Sequence, residues 1–169
     1  VNNRYTFLTD EFSPTRQDDA TPLPANSEYD YTSIRFQFQS DRRKLFSYNI
    51  QTDIGEFFNG TKSSFETRLS FRVQPKLNVG LNSNIDRIDL PEDYGSATIV
   101  LISPRIDYTF NRLLFWSTLI QYSNQRDNLG INSRLQWRFA PLSDLFLVYN
   151  DNYFVNQWGP RSRSINLKL

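Results

Sequence analysis

The sequence predicts an all-β fold, an antiparallel up-and-down transmembrane β-barrel with about ten strands. Three observations support this prediction. Apolar and polar residues alternate with a period of two over segments of roughly ten residues, as in β-strands with one apolar face. No segment has the 3.6-residue period of an amphipathic helix, and no run of about 18 apolar residues could form a helical membrane span. Aromatic residues make up 15% of the 169 residues, whereas there are only 6 glycines.

The first half of the chain contains five candidate strands. The clearest covers residues 31–40, in which Ile34, Phe36 and Phe38 alternate with Arg35 and other polar residues. The same alternation predicts further strands over residues 45–54, 63–73 and 77–88, and a weaker opening strand over residues 3–11. Strands of this length suit a membrane, because a spanning strand needs about 9–11 residues whereas strands of globular proteins average about 5–6.

The second half of the chain contains five more candidate strands, and most of them are more apolar. Three follow the same alternation over residues 96–110, 113–124 and 129–139. Residues 144–152 are apolar at both parities, so their register is ambiguous. The last strand is predicted over residues 164–169, where Ile165 and Leu167 alternate with Asn166.

The connections between these strands are predicted to alternate in length. The short ones are residues 41–44, 74–76, 111–112 and 140–143, and the longer ones are residues 12–28, 56–62, 89–95, 125–128 and 153–163. Short periplasmic turns and longer outer loops are typical of outer-membrane barrels. We therefore expect residues 1–28 to form a weak first strand and a long extracellular loop, and residues 29–169 to form the barrel strands.

Aromatic residues are predicted to form two belts, one near each rim. Near the short turns lie Phe46, Phe71, Phe110, Trp137 and Phe139. Near the longer loops lie Tyr31, Phe57, Phe58, Tyr94, Tyr122, Tyr149 and Tyr153. Such belts mark the two interfaces of a membrane, although aromatic residues also favour strands in general.

A soluble sheet packed on one face would show the same alternation. The amount of apolar strand surface favours the barrel, because few compact folds of this size could cover so many apolar faces without helices. The alternative that stays open is a soluble lipocalin-like or β-sandwich binding protein.

The composition excludes several kinds of chemistry. There is no Cys, His or Met, so thiolate nucleophiles, imidazole triads and zinc–thiolate sites are impossible. Asp53 and Glu66 have no fixed separation that would indicate a glycosidase pair. The net charge is +1, and no basic-aromatic stripe indicates nucleic acid. We expect a protein that is not an enzyme, with no cofactor, no metal and no nucleic-acid partner.

The polar face of the predicted strands carries the candidate site residues. They would face the lumen as a polar lattice, and they are Arg35, Asp53, Glu66, Arg68, Arg72, Asp86, Arg105, Asp107, Arg134 and Arg138. The structural interpretation is a lattice of salt bridges and hydrogen bonds that satisfies a polar interior. The functional interpretation is a pore or binding surface that selects anionic or sugar-like solutes. Trp158, in the last long loop, is a candidate loop contact for a partner.

Part of the second half resembles a known family. Residues 114–139 and 141–151 contain the strings IQY, NLGINSRLQWRF and PLSDLFLVYN, and residues 41–44 and 86–91 agree more loosely. From about Tyr29 onward this resembles the C-terminal end of large envelope proteins of uncharacterised function. Their N-terminal region is similar to a family-9 carbohydrate-binding module, and the remainder is a predicted outer-membrane barrel.

The resemblance implies the closing portion of a longer barrel, and it transfers no sugar-binding, catalytic or binding residue to this sequence. One departure is the final Ile165–Leu169 segment, where such chains usually end in an aromatic residue. We expect that the sequence is a piece of a longer chain. The expected function is a pore, transport or membrane-anchoring component of the outer membrane. Its expected partners are outer-membrane lipids and, at the outer loops, another envelope protein or a glycan.

Overall fold

The computed structural model describes residues 1–15, 20–156 and 159–169. They form ten strands: β1 (Asn2–Leu8), β2 (Ser27–Gln39), β3 (Phe46–Phe57), β4 (Gly60–Val73), β5 (Leu77–Asp89), β6 (Ser96–Thr109), β7 (Leu114–Ser123), β8 (Asn128–Ala140), β9 (Ser143–Phe154) and β10 (Gly159–Lys168). A short 3₁₀ helix, Glu92–Tyr94, lies between β5 and β6. Within the described ranges, no helix has the length and apolar character needed to cross a membrane.

The ten strands form one sheet in their order along the chain. Each strand is antiparallel to its predecessor, so the prediction of ten up-and-down antiparallel strands is confirmed. In the part of the chain that the structure describes, β1 and β10 are the two edges of the sheet and are not paired with each other. The sheet is therefore not closed into a barrel within these residues.

The register of β9, which the sequence left ambiguous, is defined by its neighbours. Leu147 lies opposite Leu135 of β8 and Leu167 of β10. Because directly opposed residues share a face of a sheet, these three leucines lie on one side. The strand β10 begins at Gly159, five positions earlier than the predicted residue 164, and a register shift between Pro160 and Ser162 accommodates the extension.

The connection between β3 and β4 departs from the predicted alternation of short and long connections. Phe58 and Asn59 alone join β3 to β4, where a longer loop over residues 56–62 was expected, whereas residues 40–45 join β2 to β3. Phe58 adopts a φ of 51°, a conformation that Gly and Asn favour, so the two-residue turn begins one position before the Asn59-Gly60 pair that indicates a turn in the sequence. At Gly60 a Cβ atom would lie 2.3 Å from the carbonyl oxygen of Asp89, so glycine is required there by a close approach of the backbone.

Two compact units divide the chain. Unit 1 comprises Val1–Phe38, Ile50–Glu66 and Asn84–Ile99, and unit 2 comprises Gln39–Asn49, Thr67–Ser83 and Val100–Leu169. Strand β1 belongs to unit 1, β7 to β10 belong to unit 2, and β2 to β6 contribute residues to both.

Unit 1 has a small apolar core near the first loop. Its buried hydrophobic residues, among those described, are Leu23, Tyr31 and Ile88. The loop is tied to the β5–β6 connection, because Thr15 Oγ1 donates to the carbonyl oxygen of Tyr94 at 3.2 Å. Several other large apolar residues of unit 1 are exposed, among them Phe36 and Phe38 at 64% each. We call the face that carries Ile34, Phe36, Phe38 and Ile54 the apolar side of unit 1.

Unit 2 contains no buried hydrophobic side chain among its described residues. The buried residues there are Ser47, Ser103 and Asp151, all of which are polar. Its exposed apolar residues include Phe46, Phe71, Val73, Phe110, Trp137, Phe139, Leu147, Ile165 and Leu167. One row of opposed residues, Trp116–Leu135–Leu147–Leu167, defines what we call the apolar side of unit 2.

Candidate functional site

In unit 1, the candidate residues Arg35 and Asp53 form an ion pair between neighbouring strands. Arg35 Nε lies 2.7 Å from Asp53 Oδ1, and the second carboxylate oxygen accepts from Gln51 Nε2 at 3.0 Å. Both side chains are partly exposed. The pair therefore keeps contact with solvent, and its charges remain available to a solute.

The Arg35–Asp53 pair lines a cavity of about 510 Å³ in unit 1. Its lining residues include Arg4, Tyr31, Arg35, Asp53, Phe57 and Lys62. Lys62 Nζ lies 3.3 Å from Asp86 Oδ2 and 5.3 Å from the centroid of the Phe57 ring. Acids thus hold two of the three cations, whereas Arg4 has no carboxylate partner among the described residues. We call this space the unit 1 cavity.

Aromatic rings cluster beside the unit 1 cavity. Phe58 packs against Tyr31 with ring centroids 5.8 Å apart and against Phe57 at 4.6 Å, and Tyr31 also shares a 3.1 Å hydrogen bond with Thr6. Tyr31 and Phe57 were predicted to belong to the outer aromatic belt. They line the cavity with the charged residues, because their parity in β2 and β3 is that of Arg35 and Asp53.

In unit 2, Asp107 is the centre of a polar cluster. Its carboxylate accepts from Arg105 Nε at 3.0 Å, from Ser117 Oγ at 2.7 Å and from Asn78 Nδ2 at 3.2 Å. The donors come from β5, β6 and β7, so one carboxylate connects three strands. The Asp107 carboxylate, on the polar side of unit 2, is therefore hydrogen-bonded at both of its oxygens.

The remaining predicted lattice residues of unit 2 are held in smaller contacts. Arg138 Nε lies 3.2 Å from Asp144 Oδ1, and the guanidinium of Arg134 lies 5.8 Å from the centroid of the Phe146 ring. Arg72 donates to the carbonyl oxygen of Arg42. Arg68 lines a second cavity with Arg72 and takes part in further interactions. Glu66, which belongs to unit 1, also takes part in further interactions. Trp158 lies outside the described residues.

A cluster around Asp151 was not predicted from the sequence. This residue of β9 is 0% exposed. Its Oδ2 atom accepts from the hydroxyls of Tyr149 at 2.5 Å and Tyr153 at 2.6 Å, and from Arg163 Nε at 2.9 Å. Oδ1 is buried and has no hydrogen-bond partner among the described residues. We call these four residues the Asp151 cluster.

The Asp151 cluster lies on the apolar side of unit 2. Asp151 is opposed to Ile131 on one flank and to Arg163 on the other, and the next row in the same parity pairs Tyr149 with Ile165. It was missed because residues 153–163 were expected to form a loop and β9 had no defined register. The signal that could have found it is the period-two spacing of Tyr149, Asp151 and Tyr153.

Comparison of the chain with protein-family models, with curated proteins and with solved structures gives no match. No group of three or more acids lies close enough to hold a metal ion in residues 1–15, 20–156 and 159–169. The arrangement offers ion pairs, hydroxyls and amides, which suit solute contact and strand-to-strand cohesion.

Proposed function

We propose that this sheet is part of a transmembrane β-barrel of the outer membrane and that the protein is a non-enzymatic pore, transport or membrane-anchoring component of the cell envelope. The observation that supports it is the inverted distribution of polarity. In unit 2, the described buried residues are polar, and many large apolar side chains, such as Phe139 and Leu167, are exposed. This is the arrangement that a lipid-facing sheet requires, because its apolar side meets acyl chains and its polar side does not.

The free energy of transferring the exposed apolar side chains favours a lipid environment over water. Burying one Leu, Ile or Phe side chain is worth about 1.5–3 kcal/mol. For the exposed apolar residues of unit 2 together, the free energy of removal from water is comparable with the stability of a typical domain, about 5–15 kcal/mol. Insertion into a bilayer gains this free energy, because acyl chains replace water around these side chains.

Three polar side chains on the apolar side of unit 2 are paired with one another. Trp116 Nε1 donates to Ser133 Oγ at 2.9 Å, and Thr118 Oγ1 lies 2.8 Å from the same oxygen. In a hydrocarbon layer an unpaired polar group costs several kcal/mol, so such internal pairing is expected there. Strand length agrees, since β4 and β6 have 14 residues each and a spanning strand needs about 9–11.

The polar sides of the two units support the transport version of the proposal. The unit 1 cavity combines guanidinium, ammonium and carboxylate groups, which are groups that line solute pathways. The same groups would also serve an anchor, in which they only satisfy one another. The resemblance to the barrels of large envelope proteins accords with both versions and with an envelope protein or glycan as a partner at the loops.

A soluble lipocalin-like or β-sandwich binding protein is the alternative. Such folds need a continuous apolar core between sheets or inside a barrel. The described residues of unit 2 contribute no buried hydrophobic side chain, and those of unit 1 contribute three. This distribution counts against the soluble alternative.

Reconstitution of the purified chain into phosphatidylcholine vesicles tests the proposal. We expect the protein to stay with the vesicles after alkaline carbonate extraction and to migrate differently in gel electrophoresis before and after boiling. A monodisperse chain that is stable without detergent and leaves vesicles untouched would reject the proposal. Planar-bilayer recording then separates its two versions, because a pore conducts and an anchor inserts without current.

A further inference from the structure

We propose that Arg163 binds the phosphate of an anionic membrane lipid, whose acyl chain lies along the apolar side of β9 and β10. This inference rests on the proposed function, because it needs that side of unit 2 to face a bilayer. It goes beyond it by assigning a headgroup site to one residue and a charge class to the lipid.

The Arg163 guanidinium is held in place by its partners, and part of it remains available to a ligand. Asp151 Oδ2 lies 2.8 Å from Arg163 Nη2, and the same nitrogen donates to the hydroxyl of Tyr153 at 2.9 Å. Nη1 has no partner among the described residues, although it carries two N–H donors. The Arg163 side chain is 56% exposed, whereas its acid partner is 0% exposed. The surface therefore presents the cation and covers the anion.

An exposed apolar surface continues from Arg163 along β10. Ile165 and Leu167 follow it at the same parity and are 69% and 68% exposed. Leu147 lies opposite Leu167 and widens this strip onto β9. A cation at one end of an exposed apolar strip has the polarity profile of a phospholipid, in which a phosphate follows directly on the acyl chains.

The residues around Arg163 suit the depth at which a membrane meets water. Tyr149 and Tyr153 flank the site, and tyrosine is enriched where a membrane meets water because its ring is apolar and its hydroxyl is polar. Arginine is the side chain best suited to a phosphate at this level, since its planar fork donates two parallel hydrogen bonds. A free phosphate ion could use the guanidinium but would leave the apolar strip unused.

The proposal is tested by native mass spectrometry of the full chain in detergent, with phosphatidylglycerol or phosphatidylcholine added. We expect the wild type to retain phosphatidylglycerol preferentially, and Arg163→Gln to lower that retention roughly tenfold, the size expected for one charge-assisted contact. Arg163→Lys should fall between them, because it keeps the charge and loses the fork. An excess of inorganic phosphate should displace little of the lipid, whereas full displacement would reject the acyl contribution.

The matched control is Arg138→Gln. Arg138 is also paired with an aspartate and is 47% exposed, but it lies on the polar side of unit 2. The Arg138→Gln variant should retain as much phosphatidylglycerol as the wild type. Equal loss in both variants, or equal retention of the two lipids by the wild type, would reject the site. Because the wild-type comparison needs no substitution, the test holds even where a variant folds poorly.

Failure of the site and failure of the proposed function give different results. If the wild type inserts into vesicles but shows no lipid preference, only the Arg163 site is rejected. If the wild type does not insert at all, both proposals are rejected.

Discussion

Arg163 lies directly opposite Asp151 across β9 and β10, with its Nη2 nitrogen 2.8 Å from the buried Oδ2 atom. The pair occupies the apolar side of unit 2, in a row that continues through Ile131. A carboxylate in such surroundings is tolerable only when it is paired and hydrogen-bonded, and Tyr149 and Tyr153 complete that requirement at one of its two oxygens. The edge strand β10 is thus fastened to β9 by a side-chain cluster as well as by the backbone ladder.

Asp151→Asn should destabilise the sheet more than any other single acid-to-amide change on β9. The substitution removes the negative charge that pairs with Arg163. A neutral amide then faces the two tyrosine hydroxyls and the guanidinium in place of the carboxylate. The measurement is the urea midpoint of the vesicle-inserted protein. Asp144→Asn is the control, because its partner is the exposed Arg138 and such pairs contribute about 1 kcal/mol or less. A smaller shift for Asp151→Asn than for the control would contradict the role of the cluster.

Leu135→Arg should cost roughly 2–4 kcal/mol in a bilayer, the range known for arginine near the midplane on a lipid-facing strand. Leu135 lies in the row between Trp116 and Leu147, on the apolar side of unit 2. Gln136→Arg is the matched control, since the next residue of a strand faces the opposite side. The free energy of folding into vesicles measures both variants. Equal costs would mean that the two sides meet the same environment.

Gly60→Ala should lower stability by about 1–3 kcal/mol, because the new methyl group meets backbone that must shift. A Cβ at Gly60 would lie 2.3 Å from the carbonyl oxygen of Asp89, whereas a Cβ at Gly80 has its nearest neighbour at 3.8 Å. Gly80→Ala is therefore the control, and its effect should be small. Thermal or urea unfolding distinguishes them, and equal effects would disprove the close approach at the β3–β4 turn.

Arg35→Gln should lower the ratio of anion to cation permeability, if the protein conducts in planar bilayers. The residue lines the unit 1 cavity, and its loss leaves Asp53 without its ion-pair partner. Reversal potentials in a salt gradient give the ratio. Arg87→Gln is the control, because it removes the same charge from an ion pair, here with Asp89. Arg87 follows the lattice residue Asp86 in β5 and therefore faces the opposite side of the sheet. This variant should leave the permeability ratio unchanged.

The existence and order of the strands could be predicted because a period of two needs only the local sequence. The pairing partners could not, because they depend on register. Arg35 and Asp53 were both assigned to the polar face, but their 2.7 Å contact follows from how β2 and β3 align. Asp151 and Arg163 were missed because β10 continues through a register shift beside Pro160, a residue that in sequence indicates a loop.

The turn at Phe58 and the cavity position of Tyr31 were missed for related reasons. Turn rules depend on residues that favour a positive φ, and Phe58 is not among them. The prediction of aromatic belts depends on how close an aromatic residue lies to a rim. It ignores the parity that places Tyr31 beside Arg35. Each failure comes from a backbone conformation or parity that composition does not encode.

The two edge strands have a practical consequence. In the described part of the chain, β1 and β10 each offer one row of main-chain amide and carbonyl groups that no neighbouring strand occupies. Such rows recruit further strands and promote intermolecular association. Refolding yield should therefore fall steeply as protein concentration rises, and dilution or an added capping peptide should recover it.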